Sequence, residues 1–312
     1  MKVRFVKMHG AGNDFVLVDE LEGEVVPESA KGGFASWASK RRWSIGADGV
    51  IFIQKSKKCD AKFLFYNPDG TVAEIDGNGI RCFVKYLHDS GYIDKASISV
   101  ETLSGQKRLS VTLYNDKVEQ VRVDMGSPQV LRGNAQVSGN PGDTFINQPV
   151  VVDGVTYHVT SIGMGNPHAV LFVENIKGLD VKGVGAKIRH MLDIFPHGAN
   201  VHFLEANGPN DFTIRSFERG VEDETLACGT GICASAVAAV LNQRADQHRT
   251  LLFRARGGEL SVKLDVEKEK IAKVYLIGPA VEVFRGEIEY DSARDFEKAA
   301  YGFISNVLHP EG

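Results

Sequence analysis

Two stretches of this chain share one layout. "AEIDGNGIRCFVKYL" spans 73–87 and "TLACGTGICASAVAAVL" spans 225–241. Each reads as a strand end, a Gly-x-Gly-Ile turn and then a helix. Asp76 precedes the first turn and Cys228 the second. A helix start carries unpaired N–H groups and a partial positive charge, and glycines let an anion approach that backbone closely. Two such starts facing each other make a cradle for a small carboxylate. A thiol there is activated, its pKa lowered from ~8.5 toward neutrality. Cys228 therefore reads as a base or nucleophile, against the plainer reading of a buried structural cysteine. Cys59, Cys82 and Cys233 keep the structural reading. Asp76 leaves two readings open. Aspartate is a good helix N-cap. As a base toward a carbon acid its reference pKa of ~3.9 is too low, unless desolvation raises it.

Other polar residues cluster at turns. Asn13, Asn67, Asn166 and Asn200 each sit near Gly or Pro, and taken singly each reads as a turn residue. Glu218-Arg219 ends a strand and reads as a surface ion pair. His9 and His168 lie beside Gly-Asn pairs and read as structural.

The elements that must position these residues are mostly strands. "KVRFVKM", "DFVLVDE", "GVIFIQKS", "KFLFYN", "SISVETL" and "VEQVRVDM" are rich in β-branched and aromatic residues. "HAVLFVEN", "NVHFLEA", "FTIRSFE" and "KVYLIGPAVEVF" repeat the style later, and Asp153-Gly154 marks a hairpin. Helices are expected from about Gly32 to Arg42, after Asn78, from about Val181 to Leu192, and after Thr230. Asn13 and Asn166 are 153 residues apart, and Asp76 and Cys228 are 152 apart. Landmarks in one order at nearly one offset point to a duplication. The Gly-, Asn- and Pro-rich stretch 131–148 is the expected boundary. The expected units are an N-terminal half, 1–130, a C-terminal half, 140–279, and a tail, 291–312. The tail "DFEKAAYGFISNVL" has apolar residues at helical spacing and reads as an amphipathic helix.

Bulk numbers set the class. The chain has 312 residues, 43% hydrophobic and 24% charged, in the range of ordinary globular proteins. A net charge of -4 gives no reason to expect nucleic acid or an anionic membrane as partner. No apolar run is long enough to span a bilayer. Cys228 and Cys233 form a C-x4-C spacing with no second pair, so no metal site is expected. The expected setting is the cytoplasm, with reduced thiols.

"KMHGAGNDFVLVD", "IGADGVI", "YNPDGTVAE", "GNGIRC", "MGNPHAV", "ANVHF", "ERGVEDETLACGTGICA" and "GPAVEVF" occur here in this order. The set resembles the diaminopimelate epimerase family and covers the chain to about Tyr290. The resemblance implies an α/β (α+β) fold of two similar halves. Each half is a curled sheet around a central helix, with the site in the cleft between them. It implies a last strand, about 280–290, that returns to the first half. It further implies a cofactor-independent isomerase, needing neither pyridoxal phosphate nor metal, that interconverts LL- and meso-diaminopimelate for lysine and peptidoglycan precursors. In that family two cysteines face each other across the substrate Cα. Carried over, Cys228 is one acid/base. Gly77, Asn78, Gly229 and Thr230 hold the reacting carboxylate, and Asn13 lines the site. Asn67, Asn166, Asn200, Glu218 and Arg219 grip the distal amino-acid end. The family is commonly a homodimer. One departure stands out: Asp76 occupies the first catalytic cysteine position. Cys82 matches a separate family cysteine and does not replace it.

Alternatives remain open at this stage. They are a racemase of another amino acid, a binding protein that keeps the cleft without turnover, and a hydrolase pairing Cys228 with His168.

Overall fold

The computed structural model describes residues 1–291. The first half contains β1 (Lys2–Gly10), β2 (Asn13–Asp19), β3 (Gly49–Gln54), β4 (Ala61–Tyr66), β5 (Val72–Ala73), β6 (Ser97–Thr102), β7 (Gly105–Tyr114) and β8 (Lys117–Asp124). The second contains β9 (Gln148–Val152), β10 (Val155–Gly163), β11 (Pro167–Phe172), β12 (Asn200–Gly208), β13 (Asp211–Glu218), β14 (Asp223–Thr225), β15 (Leu251–Ala255), β16 (Gly258–Glu267) and β17 (Lys270–Gly278). β18 (Val281–Glu289) follows. The helices are α1 (Lys31–Ser39), α2 (Gly79–Asp89), the short α3 (Arg132–Ala135), α4 (Val181–Arg189) and α5 (Gly229–Leu241).

Strand pairing shows the repeat directly. One half pairs in the order β18-β1-β2-β3-β4-β6-β7-β8. The other pairs in the order β9-β10-β11-β12-β13-β15-β16-β17. Parallel pairs fall at matching places: β2–β3 and β4–β6 in one, β11–β12 and β13–β15 in the other. The short β5 and β14 hang from equivalent strands. β18 lies against β1 as β9 lies against β10, so the last strand among the described residues completes the first half. The halves join where β8 pairs with β17. Asp153 and Gly154 both have positive φ, 50° and 78°, as a two-residue hairpin turn between β9 and β10 demands.

Each half wraps one helix and carries another outside. α2 sits inside the first sheet, with Ile80, Cys82, Phe83 and Leu87 in a core shared with Phe15, Ile51 and Phe63. α5 sits inside the second. Its sequence is apolar and small-sided, so nearly every face is buried and the sheet closes around it. α1 packs outside on Phe52 and Tyr66. α4 packs outside on Phe203 and Phe217. Among the described residues, no helix is long and apolar enough to cross a membrane. The amphipathic helix expected after Tyr290 lies outside the described residues.

The inner core has a simple test. Phe83 is fully buried and meets Phe63 edge-on at 5.4 Å between ring centres. Phe83→Ala should lower unfolding free energy by about 3–5 kcal/mol in a urea titration. Phe83→Leu should cost much less.

Candidate active site

Each inner helix begins with a capping residue at the junction of the halves. At α2, the Asp76 carbonyl accepts the Ile80 N–H at 2.9 Å, the first bond of the helical ladder. Asp76 Oδ1 accepts the N–H groups of Asn78 at 2.8 Å and Gly79 at 2.7 Å. Asp76 is therefore the functional N-cap of α2. The arrangement repeats at α5. The Cys228 carbonyl accepts the Ile232 N–H at 2.9 Å. Its sulfur lies 3.6 Å from Thr230 Oγ1, and the Gly231 amide favours its anionic form. Carboxylate and thiol thus occupy equivalent places, each turned toward the third amide of its helix. The two starts share a neighbour. A Cβ built on Gly229 would lie 3.1 Å from Leu276 Cδ2, and one built on Gly77 would lie 4.0 Å from the same methyl.

Electrostatics here differ from the sequence expectation. The Cys228 thiol is raised well above its ordinary value, not lowered. Burial is the largest cause, and the Glu218 charge adds to it; the Thr230 and Gly231 hydrogen bonds oppose it without prevailing. The helix dipole is visible in sequence, whereas the loss of water is not. Glu218 lies beside the thiol, hydrogen-bonded to Cys228 and accepting from Thr225 Oγ1. Burial raises the Glu218 carboxyl, and the charge of Asp76 raises it further. Asp76, Glu218 and Cys228 therefore share one electrostatic site. Asp76 is itself raised, mainly by burial, while the Gly79 and Asn78 amides and the Arg81 cation pull the other way.

The remaining predicted residues divide. Asn13 and Asn78 meet at this centre. Asn78 Nδ2 donates to Asn13 Oδ1 at 3.0 Å, and Asn13 Nδ2 donates to Asp48 Oδ2 at 2.7 Å. Asn166 Oδ1 lies 2.7 Å from His168 Nε2. Asn200 is buried and fully engaged, donating to the Pro167 carbonyl at 3.2 Å and accepting from the Arg219 N–H at 2.9 Å. It clamps the turn that carries Arg219. Arg219 Nη1 reaches the His197 carbonyl at 3.0 Å. Asn67 forms a turn with Thr71, donating to its hydroxyl at 3.0 Å, and among the described residues it lies outside the hydrogen-bond network of the other predicted residues.

His202, Ser216 and Arg81 escaped sequence reading, whereas His168 reads as structural. His168 Nδ1 lies 2.8 Å from His202 Nε2, and His202 Nδ1 lies 2.8 Å from Ser216 Oγ. A Cβ on Gly231 would fall 2.1 Å from the His202 ring, so this ladder runs directly under the first turn of α5. His168, His202 and Cys228 offer ligand atoms within 4.8 Å of one another. All four ring nitrogens already have hydrogen-bond partners, so the imidazoles are built as a satisfied polar ladder. Burial lowers both histidines, His202 to about 3, and keeps them neutral. Arg81, buried inside α2, is the other omission. Its signal was a lone guanidinium in an apolar helix segment.

The comparisons with known proteins agree with one another. A sequence model described as diaminopimelate epimerase matches residues 5–131 and 160–283. The chain belongs to the diaminopimelate epimerase family. It is 40% identical over 291 residues to the diaminopimelate epimerase of Desulfitobacterium hafniense, covering 93% of this chain and 99% of that one. It is 41% identical over 291 residues to the diaminopimelate epimerase of Methanocella arvoryzae, covering 93% and 98%. The fold is shared more widely. A phenazine biosynthesis protein of the PhzF family from Bacillus anthracis superposes with TM-score 0.67 at 16% identity, over 93% of this chain and 100% of that one. A probable proline racemase from Agrobacterium radiobacter gives 0.65 at 16% identity, over 94% and 95%. Family membership makes the chain an isomerase of the racemase and epimerase type. The family's two-part architecture is the repeat seen in the strand pairing.

The raised Asp76 carboxyl has a consequence for stability. A group that holds its proton more tightly when folded stabilises the fold fully below its unfolded pKa, ~3.9. That contribution is lost as pH rises through the folded value. Ionised Asp76 therefore opposes folding at neutral pH. Asp76→Asn keeps a capping oxygen and removes the charge. The variant should be more stable than the parent at pH 7 in urea unfolding, with the gap closing as the buffer is acidified below about pH 4. A gap that ignores pH would contradict this assignment.

Proposed function

We propose that the protein epimerises diaminopimelate between its LL and meso forms by proton transfer at Cα, with Asp76 and Cys228 as the two acid/bases. The observation that carries this reading is their equivalence: each is the N-cap of an inner helix, and both helix starts border Leu276. In this reading the Cys228 thiol, raised by burial, is the proton donor, and Asp76 in its carboxylate form is the acceptor, with the Gly79 and Asn78 amides and the Arg81 cation favouring that form against burial. The pair thus holds one transferable proton. Asp76 takes the Cα proton from one face. The S–H proton of Cys228 goes to the other, leaving a carboxylic acid and a thiolate. Water then returns the pair to its starting state, and the reverse reaction uses the exchanged form. No bond other than those to hydrogen is broken or formed, so the step balances with these two side chains and water.

Asp76 Oδ1 already engages the Asn78 and Gly79 amides. The α5 start, with Gly229 and Thr230, therefore carries most of the grip on the α-carboxylate, and Gly77, Asn78 and Asn13 complete the cradle. Carbanion formation is stabilised by amides aimed at that carboxylate. Arg219, Asn67 and Asn166 take the distal amino-acid group, with Asn200 fixing the Arg219 turn. Glu218 belongs with the thiol, where it hydrogen-bonds Cys228. We further assign the reaction to a reducing cytoplasm, which suits four free cysteines, and to a homodimer. Exposed Val283 and Phe284 on β18 supply apolar surface for that contact.

Incubation in heavy water tests the reaction. Starting from either isomer, the product isomer should carry deuterium at Cα. Absence of exchange from both isomers would remove catalysis and leave binding alone. Cys228→Ala should lower kcat by about 10²–10⁴-fold. Asp76→Cys should raise the rate, because a thiol is the better match to a carbon acid.

The pH profile provides a separate test. Activity should fall on the acid side as Asp76 gains a proton. The midpoint should lie above the ordinary aspartate value of ~3.9, because burial raises this carboxyl. Asp76→Cys should move that limb well into the alkaline range.

A further inference from the structure

Arg81 is fully buried in the second turn of α2, yet its guanidinium forms no ion pair with any carboxylate among the described residues. Buried charges are normally paired, because an isolated one is costly. Its bonds go elsewhere. Nη1 donates to the Gly77 carbonyl at 2.9 Å, Nη2 to Asn78 Oδ1 at 2.9 Å, and Nε to the Pro279 carbonyl at 3.2 Å. The fold makes room for it. A Cβ on Gly10 of β1 would lie 2.9 Å from Nη2, and one on Gly278 of β17 would lie 3.3 Å from Nε. The guanidinium is therefore packed between strands at the junction of the halves, behind the start of α2.

The Gly77 carbonyl belongs to the same peptide group as the Asn78 N–H, and that N–H donates to Asp76 Oδ1. Donation into the carbonyl strengthens the N–H as a donor. The second arm acts on Asn78, whose amide orients Asn13. The repeat sharpens the point. At the offset that pairs Asp76 with Cys228, Arg81 pairs with Cys233, so the cation occurs only in the half headed by the carboxylate.

We propose that Arg81 is a positioning residue for the proton transfer: it polarises the Gly77–Asn78 peptide and supplies the positive charge that keeps Asp76 an anionic proton acceptor. The inference rests on the acid/base reading of Asp76. Other charged or titratable groups also face that carboxyl. Asp48 from the approach to β3 disfavours its ionisation, and Cys82 on α2 and Glu218 on β13 feel its charge in turn. Arg81 is the cation of this set.

The test reads Asp76 directly. The full chain is labelled with carboxyl-¹³C aspartate, and Asp76→Asn identifies the resonance. Titration of the parent is compared with Arg81→Met, Arg81→Gln and Arg81→Lys. The neutral variants should raise the Asp76 midpoint by about one to three pH units, with Lys restoring part of it. The acid limb of kcat/KM should move with the resonance. kcat should fall about 100-fold, with KM changed much less. A purely structural Arg81 would lower unfolding midpoints and leave the Asp76 titration in place, and that result in a folded neutral variant overturns the proposal. If both neutral variants fail to fold, Arg81→Lys decides: a partial rise of the Asp76 midpoint supports the proposal, and an unchanged midpoint overturns it. The titration needs no turnover. The two readings therefore fail separately: absence of deuterium exchange removes the acid/base reading, and an unmoved Asp76 midpoint removes the role of Arg81.

Discussion

Everything at this site follows from one constraint: two helices start inside the protein, and their first amides need acceptors. A helix at the surface can leave those groups to water. α2 and α5 are wrapped by sheets and begin where the halves meet, so side chains must answer for them. At α2 the answer is a carboxylate that accepts two N–H groups. At α5 it is a thiol, a weaker acceptor, set beside the Thr230 hydroxyl and the Gly231 amide. The same amides are what a substrate carboxylate needs. If the proposed substrate carboxylate binds here, capping and binding compete at α2 and coexist more easily at α5. The asymmetry of the two caps becomes an asymmetry of the cradle.

Burial then decides how protons are distributed. A helix start favours anions, and on that ground alone Cys228 should be a thiolate. Desolvation acts on the same sulfur in the opposite sense, and Glu218 adds a like charge beside it. The combined effect is a thiol held above its ordinary pKa. Asp76 also suffers desolvation, but it begins from a much lower value and has two amides and a cation opposing the rise. The proposed pairing of a carboxylate acceptor with a thiol donor relies on that lower starting point.

Much of this was legible in the sequence, for physical reasons that also mark where reading stops. Glycines at helix starts and a repeated spacing identified Asp76 and Cys228 as equivalent, because turn chemistry is local. The strands were legible from β-branched and aromatic runs. His202 was not, since β12 is covered on both faces and Val201, His202 and Phe203 are all buried. Alternation marks inward residues only when one face is wet. Glu218-Arg219 looked like a surface pair, yet the strand end sends Glu218 to the thiol and Arg219 to the His197 carbonyl. Arg81 escaped for a related reason. A charged residue in a helix is normally placed on its solvated face, and only tertiary contacts with Gly10 and Gly278 show that this helix has no such face there.

The outer surroundings of the cradle reinforce its division of labour. Under α5 lies the ladder of Ser216, His202, His168 and Asn166, made of neutral groups whose ring nitrogens are all engaged. Under α2 lies a cation bonded to three oxygens. The neutral ladder adds no charge beside the thiol, whereas the cation favours the carboxylate as an anion. Exchanging the two supports should therefore do more damage than exchanging the two caps. Placing thiols at both caps would still leave one beside a cation and one beside neutral imidazoles. The proton would stay with the sulfur farther from the cation, and the two faces of Cα would keep distinct roles. In the proposed reaction, then, the direction of proton flow is set beneath the helices, by groups that need not touch the substrate.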